Sequence, residues 1–217
     1  KGNLEGCDLM VSVTNRRSVM TLFADPKDLQ GHSVRLVLME KDINVEINYV
    51  TDENKPEDLN TLNPYGKLLT LIDRDLVLYD SQIMMEYLDE RYPHPPLMPV
   101  DPVARAANRQ LRYRISQDLY SLAFDIENGD QLLSEKSKKL LRDNLLILAP
   151  IFEQFKYFMS DEFSLVDLCM STILWRLEHW NIRLGLSEKQ LTKYAEQIFE
   201  MESFQSSLSD YEREMRV

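Results

Sequence analysis

The amino-acid sequence predicts an α/β domain followed by an all-α domain. Between residues 18 and 92, short apolar segments and helical segments alternate in the order βαβ and then ββα. A proline-rich stretch follows, and from Val103 onward apolar residues recur at the three- and four-residue spacing that is typical of helices. We therefore divide the chain into a leader over residues 1–17, an α/β domain over 18–96, a linker over 97–106 and an all-helical domain over 107–217.

The predicted βαβ unit occupies the first part of the α/β domain. Residues 18–23 are short, β-branched and apolar, and they end before Asp25 and Pro26, which predicts a strand. Residues 34–41 place their apolar side chains in a pattern compatible with a helix. Residues 45–50 predict the second strand.

A ββα unit completes the predicted α/β domain. Residues 68–73 and 76–79 flank Arg74 and Asp75 and predict a β-hairpin. Residues 81–92 then predict a helix, and its apolar side is expected to carry Ile83, Met84, Tyr87 and Leu88. The order βαβ followed by ββα is that of a thioredoxin-like domain.

Prolines separate this domain from the helical half. Three prolines between residues 93 and 96 end the preceding helix, because proline lacks the amide donor that a helix needs. In the second half, an apolar stripe predicts a core-facing helix that Pro150 would kink. Further helices are predicted over 165–180, over 188–200 and around Phe204. The stripe consists of Leu141, Leu145, Leu148, Phe152 and Phe155.

The composition is that of a soluble globular protein of the cytoplasm. The 217 residues are 44% hydrophobic, and no apolar run approaches the roughly 20 residues that cross a bilayer. The net charge of −11 argues against nonspecific nucleic-acid binding as the main activity. Cys7 and Cys169 are the only cysteines, which predicts a fold without disulfides. The leader, which lacks both an initiator Met and a secretory pattern, is a tag, a truncated start or a native extension.

A capping box stands out in the helical half. Ser164 can accept a hydrogen bond from the amide of Asp167, whose carboxylate can reach back to the amide of Ser164, with Phe163 placed as a hydrophobic staple. By itself this box indicates only a helix start. Together with the thioredoxin-like order and the helical second half, it resembles the capping box of the glutathione-transferase fold, over residues 18 to about 208.

Within that superfamily, the chain resembles the stringent starvation protein A family. The segments that carry the resemblance are residues 17–23, 32–38, 85–100, 158–167 and 212–216. The resemblance implies a noncatalytic transcription regulator of starvation and stress that binds RNA polymerase holoenzyme, including the primary sigma factor. It implies a homodimer, or a heterodimer with a homologue, that uses no cofactor and meets DNA only indirectly, through polymerase.

The chemistry of a transferase is missing from the expected places. Thiol activation needs a hydroxyl or thiolate near the start of the first helix, yet residues 26–32 carry none. His32 and Ser33 are unlike a catalytic pair, because sequence neighbours on a helix do not face each other. Leu69 stands where a thioredoxin-like domain usually has a cis proline, which predicts a trans peptide bond and a reshaped loop.

A remnant of the glutathione site is expected at the start of the helix over 81–92. Asp80 and Ser81 retain a possible anion cradle at a helix N-terminus, as transferases use for the glutamyl carboxylate of glutathione. A simple helix cap explains them at least as well. With Leu69, they are the vestigial glutathione-site positions. A glutathione transferase or a glutathione-dependent thiol enzyme therefore stays open as the alternative function.

The predicted partner-binding site is the tract Tyr92, Pro93, His94, Pro95 and Pro96. A proline-rich tract has little conformational entropy left to lose on docking, which favours protein recognition. The resemblance associates the same surface with transcription activation.

Two further sequence features leave choices open or exclude a site. Arg105, Arg109 and Arg112 recur at helical spacing and form either a solvated face or a patch for an acidic partner or DNA, and the overall charge favours the solvated face. The three histidines are too scattered to indicate a zinc site.

Overall fold

The computed structural model describes residues 19–185 and 188–216. The predicted leader, with Cys7, and the first residue of the predicted strand over 18–23 lie outside the described residues. Over the rest of the chain the structure has a four-stranded mixed sheet followed by helices, which confirms the thioredoxin-like and all-helical parts of the predicted fold.

The sheet has the strand order β2-β1-β3-β4. The strands are β1 (Met20–Ala24), β2 (Val45–Tyr49), β3 (Thr70–Asp73) and β4 (Leu76–Leu78). Strand β1 runs parallel to β2 and antiparallel to β3, and β3 pairs antiparallel with β4. The parallel pair is connected by a helix, as parallel strands require a crossover, whereas the hairpin β3-β4 turns at Arg74, whose φ is 56°.

Helices of the α/β domain cover both faces of this sheet. Helices α1 (Leu29–Glu40) and α3 (Ser81–Arg91) share one core with β1 and with the helical domain, whereas the short helix α2 (Glu57–Leu62) belongs to a smaller cluster on the other face. That smaller cluster consists of Phe23, Val50, Leu59, Leu62 and Ile72.

The helical domain begins with one long helical run. Helix α4 (Pro102–Arg114) continues through a π-helical turn (Ile115–Tyr120) into α5 (Ser121–Asn128). The remaining helices are α6 (Gln131–Leu148), α7 (Ile151–Gln154), α8 (Leu165–Arg176), α9 (Lys189–Phe199), α10 (Glu202–Ser207) and α11 (Asp210–Arg213), with a final 3-10 turn (Glu214–Arg216). Every residue of α8 is buried, so this helix is the centre of the domain.

Several local predictions were wrong. Helix α1 begins at Leu29 rather than residue 34, because the Asp28 carboxylate caps it by accepting from the amides of Gln30 and Gly31. Helix α2 was not predicted. The helix over 165–180 ends at Arg176, and α4 begins at Pro102, inside the range predicted as a linker.

Two apolar side chains are also placed differently from the prediction. Ile83 is 57% exposed, and Met84, Met85 and Leu88 form the buried side of α3 instead. Helix α6 ends at Leu148 and α7 starts anew after Pro150, so the proline separates two helices rather than kinking one. As a result Phe155 lies beyond α7 and is exposed rather than part of the core stripe.

Candidate partner-binding site

The tract from Tyr92 to Pro96 follows α3 and lies at the surface. Pro93, His94, Pro95 and Pro96 are exposed, and Tyr92 is half-buried. The Tyr92 amide still donates to the Leu88 carbonyl, which ends the helix. The structure therefore brings the five residues of the predicted site together as one continuous outward-facing segment.

A buried ion pair lies directly beneath this tract. The Lys41 ammonium contacts Asp89 Oδ1 at 2.6 Å and donates to the carbonyl oxygens of Tyr92 and Pro95, each at 2.6 Å. Asp89 Oδ1 also accepts from the Leu97 amide at 2.9 Å. The backbone at both ends of the tract is thus bonded to side chains of the protein interior.

An apolar groove of about 370 Å³ begins at the end of the tract. Residues 96–100 line one side, and α4 and residues 158–164 line the rest. The Leu165 amide donates to the Leu97 carbonyl and joins this wall to α8. The tract and the groove therefore form one surface at the boundary between the sheet and the helices.

The vestigial glutathione-site positions lie apart from this surface. Within the described residues the cis peptide bond is at His94–Pro95, so the bond before Leu69 is trans, as predicted. The Leu69 side chain is buried and its Cδ1 lies beside Gly31 of α1. The Asp80 carboxylate accepts from the amides of Gln82 and Ile83 as the cap of α3, and Ser81 is buried.

His32 and Ser33 point to different partners inside the protein. The Ser33 hydroxyl donates to the Leu29 carbonyl and lies 2.9 Å from the Tyr120 hydroxyl, which in turn lies 2.9 Å from that of Thr172. His32 Nδ1 lies 3.1 Å from an Arg176 donor, so we assign the ring proton to Nε2, which lies 3.1 Å from the Ser207 hydroxyl. The two side chains form no catalytic pair.

An ion cluster, which the sequence did not reveal, joins the two domains beside His32. Glu212 accepts from Arg35 and Arg176, and all three side chains are fully buried. Burial alone would raise the pKa of Glu212, but the positive charges of the neighbouring Arg35 and Arg176 help to lower it to about 2. Burial also lowers the pKa of His32 well below its usual value. The ion pairs of this cluster connect α1, α8 and α11.

The arginines of α4 divide between the interior and the surface: Arg112 is buried, whereas Arg109 is exposed, as expected of a solvated face. Arg112 is 2% exposed and bonds to Glu86, Gln82 and Asn108, whereas Arg109 bonds to the same Glu86 at 2.8 Å. These contacts join α3 to α4. The negative charge of Glu86 satisfies both guanidinium groups, so they serve the domain junction.

The capping box holds the start of α8. The Ser164 amide donates to Asp167 Oδ2 at 2.9 Å, and the other Asp167 oxygen accepts from the Phe158 amide and from the Tyr194 hydroxyl. Burial raises the pKa of Asp167 to about 6 against these hydrogen bonds. Ser164 and Asp167 are structural in this arrangement.

The described residues contain neither a metal-binding cluster nor a membrane-spanning helix. Within residues 19–185 and 188–216, no three His, Cys, Asp or Glu side chains are grouped so that they could hold a metal ion. None of the helices described for this chain has the length and apolar character needed to span a membrane.

Lys41 and Asp89, which bond to the backbone around the tract, were not predicted from the sequence. They are 48 positions apart, so no local spacing joins them. A lysine directly after a helix is usually a surface residue. The available signal was the run of prolines itself, because a tract without amide donors needs donors from elsewhere.

Comparison with known proteins gives consistent matches over most of the chain. Residues 30–91 match the family model of the glutathione S-transferase N-terminal domain, and residues 111–202 match that of its C-terminal domain. A Stringent starvation protein A homolog from Pasteurella multocida is 49% identical over 92% of this chain and 94% of its own length. A Stringent starvation protein A homolog from Coxiella burnetii is 48% identical over 93% of this chain and 97% of its own length.

Solved structures extend the comparison of the fold. An epsilon-class glutathione S-transferase from the housefly, Musca domestica, superposes with a TM-score of 0.80 at 16% identity, covering 90% of this chain and 94% of the other. At that identity the likeness concerns the fold, which agrees with the matched domains.

Proposed function

The chain belongs to the stringent starvation protein A family, and from that membership we propose that it is a noncatalytic transcription regulator. It binds bacterial RNA polymerase holoenzyme during starvation or stress and alters promoter use through protein contacts. The chain aligns with more than 90% of the length of two relatives, and both relatives carry the family name. We propose a cytoplasmic homodimer, or a heterodimer with a homologue, that contacts holoenzyme including its primary sigma factor.

The observation that carries this proposal is the exposed tract from Tyr92 to Pro96. Its proline and histidine side chains face outward while its backbone is bonded to buried groups. A segment that is already ordered loses little entropy when it docks, so it favours binding of a protein partner. The net charge of −11 disfavours direct contact with DNA phosphates, which supports an indirect role for DNA.

The interior of the α/β domain supports a noncatalytic role. Ser33 carries the only hydroxyl among residues 25–33, is 1% exposed and bonds to a carbonyl and to Tyr120. Activation of glutathione needs a hydroxyl or thiolate that reaches the substrate thiol at a helix start. A buried hydroxyl with its own partners does not provide that contact.

A second candidate is a glutathione transferase or a glutathione-dependent thiol enzyme. The matches of residues 30–91 and 111–202 to glutathione S-transferase domains favour it. Fold alone does not select a function, because one scaffold hosts many activities. An assay of glutathione conjugation on the same protein sample separates the two candidates.

Co-elution with the cognate RNA polymerase holoenzyme tests the proposal, with His94→Ala as the test variant. His179→Ala is the matched control, because His179 is also exposed but lies on the helical domain. We expect the unmodified protein and the control to bind alike, His94→Ala to bind about tenfold more weakly, and no sample to conjugate glutathione. Conjugation activity without polymerase binding would establish the second candidate instead.

A further inference from the structure

Lys41 has an unusual environment for a lysine at the end of a helix. It directly follows α1, and its side chain is fully buried. An ammonium group carries three hydrogen-bond donors, and here each has one acceptor at 2.6 Å: Asp89 Oδ1, the Tyr92 carbonyl and the Pro95 carbonyl. The donors of Lys41 are therefore fully used within the protein.

The tract depends on donors supplied from outside its own backbone. Three of its five residues are prolines, which have no amide hydrogen. Apart from the Tyr92 amide, which donates to the Leu88 carbonyl, the tract is attached through its carbonyl groups. Lys41 donates to the carbonyls of the first residue of the tract and of its fourth.

Asp89 extends the attachment beyond the end of the tract. Its Oδ1 atom accepts from Lys41 and from the Leu97 amide. Asp89 lies on α3, whereas Lys41 follows α1, so the tract is attached to two helices that pack on the same face of the sheet. With the carbonyls bonded inward, Pro93, His94 and Pro96 remain at the surface.

We propose that Lys41, together with Asp89, is a positioning residue for partner binding: it fixes the backbone of residues 92–97 so that His94 and the prolines meet the partner already ordered. This inference rests on the proposed function, since the tract is the surface through which it acts. An apolar side chain at position 41 would fill the same space but leave two carbonyls and a carboxylate without their donor.

The test compares binding to RNA polymerase holoenzyme with hydrogen exchange at residues 92–97, which is read from the amides of Tyr92, His94 and Leu97 because the other three residues are prolines. The variants are Lys41→Met and the double variant Lys41→Met/Asp89→Leu, which removes both charges and so avoids an unpaired buried carboxylate. Lys41→Arg tests whether charge alone suffices, because a planar guanidinium cannot direct three donors as an ammonium does.

The matched control for general destabilisation is Val37→Ala. Val37 is fully buried on α1, one turn before Lys41, and its truncation opens a cavity without removing a bond to the tract. We expect this variant to bind within about twofold of the unmodified protein and to keep slow exchange at residues 92–97.

For the variants without Lys41 we expect fast exchange confined to residues 92–97 and binding weaker by about tenfold, which corresponds to ordering roughly one residue's backbone. Lys41→Arg should fall between them and the unmodified protein. If the double variant folds and binds like the unmodified protein while His94→Ala still weakens binding, the positioning role is wrong and the proposed site stands. If no substitution in the tract or at Lys41 weakens binding, both the positioning role and the site are overturned.

Discussion

Arg35 and Glu212 form a bidentate ion pair between residues 177 positions apart in the chain. The Nη1–Oε2 and Nη2–Oε1 distances are both 2.9 Å, and both side chains are fully buried. The pair attaches the end of the helical domain to the first helix of the α/β domain. Because a buried charge is costly without its counterion, the two domains are energetically coupled at this point.

Replacing Glu212 should strongly destabilise the protein. Glu212→Gln keeps the shape of the side chain but leaves Arg35 and Arg176 buried without a negative charge. We expect a loss of about 3–5 kcal/mol in the free energy of unfolding, measured by urea denaturation. The control Glu178→Gln removes an exposed pair with Arg216 and should cost less than about 1 kcal/mol. Equal effects of the two changes would contradict the coupling.

Acid should weaken the same contact in a defined pH range. The pKa of Glu212 is about 2 in the folded protein against 4.5 for an ordinary glutamate. Since the folded pKa is the lower one, the unfolded chain binds the proton first as the pH falls. The contribution of Glu212 to the free energy of unfolding is therefore complete above about pH 4.5 and lost as the pH falls toward 2. The loss should be roughly 3 kcal/mol.

The measurement is the free energy of unfolding as a function of pH for the unmodified protein and for Glu212→Gln. Glu212→Gln has no carboxylate to protonate at this position, so its free energy of unfolding should depend less on pH below about pH 4.5. Parallel curves for the two proteins would show that another carboxylate governs acid unfolding.

The hydroxyl of Tyr120 should contribute to the contact between the domains. It lies 2.9 Å from both the Ser33 and the Thr172 hydroxyls and donates to the Cys169 carbonyl at 3.0 Å. Tyr120→Phe removes the hydrogen bonds of this hydroxyl, whereas Ser33 and Thr172 keep the Leu29 and Cys169 carbonyls as acceptors, so we expect a loss of about 1 kcal/mol by urea denaturation. Tyr113→Phe, at an exposed position on α4, should change stability by less than about 0.5 kcal/mol. If the Tyr120→Phe protein is as stable as this control, the Tyr120 hydroxyl does not stabilise the contact between the domains.

Cys169 should be inert toward thiol reagents in the folded protein. It is 1% exposed, and burial raises the pKa of its thiol, whereas reaction needs an accessible thiolate. With Cys7→Ser as the background, a disulfide reagent should titrate almost no thiol in the native protein and one thiol per chain in denaturant. Rapid labelling under native conditions would refute the buried assignment and strengthen the thiol-enzyme candidate.

Local patterns predicted most of the fold but not the contacts that complete it. Strands such as β2 and helices such as α9 follow from apolar spacing within about ten residues, so the sequence is sufficient for them. In α3 the apolar residues at 83, 84 and 85 are adjacent, and only packing decides that Met84 and Met85 turn inward while Ile83 is exposed.

Long-range polar contacts are the part that the sequence did not predict. The tract from Tyr92 to Pro96 was recognisable from its prolines, but its attachment to Lys41 depends on how α1 packs against α3. In the same way, Arg35 lies in an apolar helix, which indicates a buried partner without identifying Glu212. Such pairs depend on the tertiary structure, because the local sequence does not specify which distant residue becomes the partner.

The pairing of Arg35 with Glu212 also limits the order in which the two halves of the chain can complete their contact during synthesis. Synthesis proceeds from the N-terminus, so β1, α1 and β2 emerge well before residues 209–213 are added. Until then Arg35 and Arg176 lack the Glu212 carboxylate, so packing α1 against α8 would bury two unpaired positive charges. The helices over residues 202–213 therefore close the contact between the two halves of the chain.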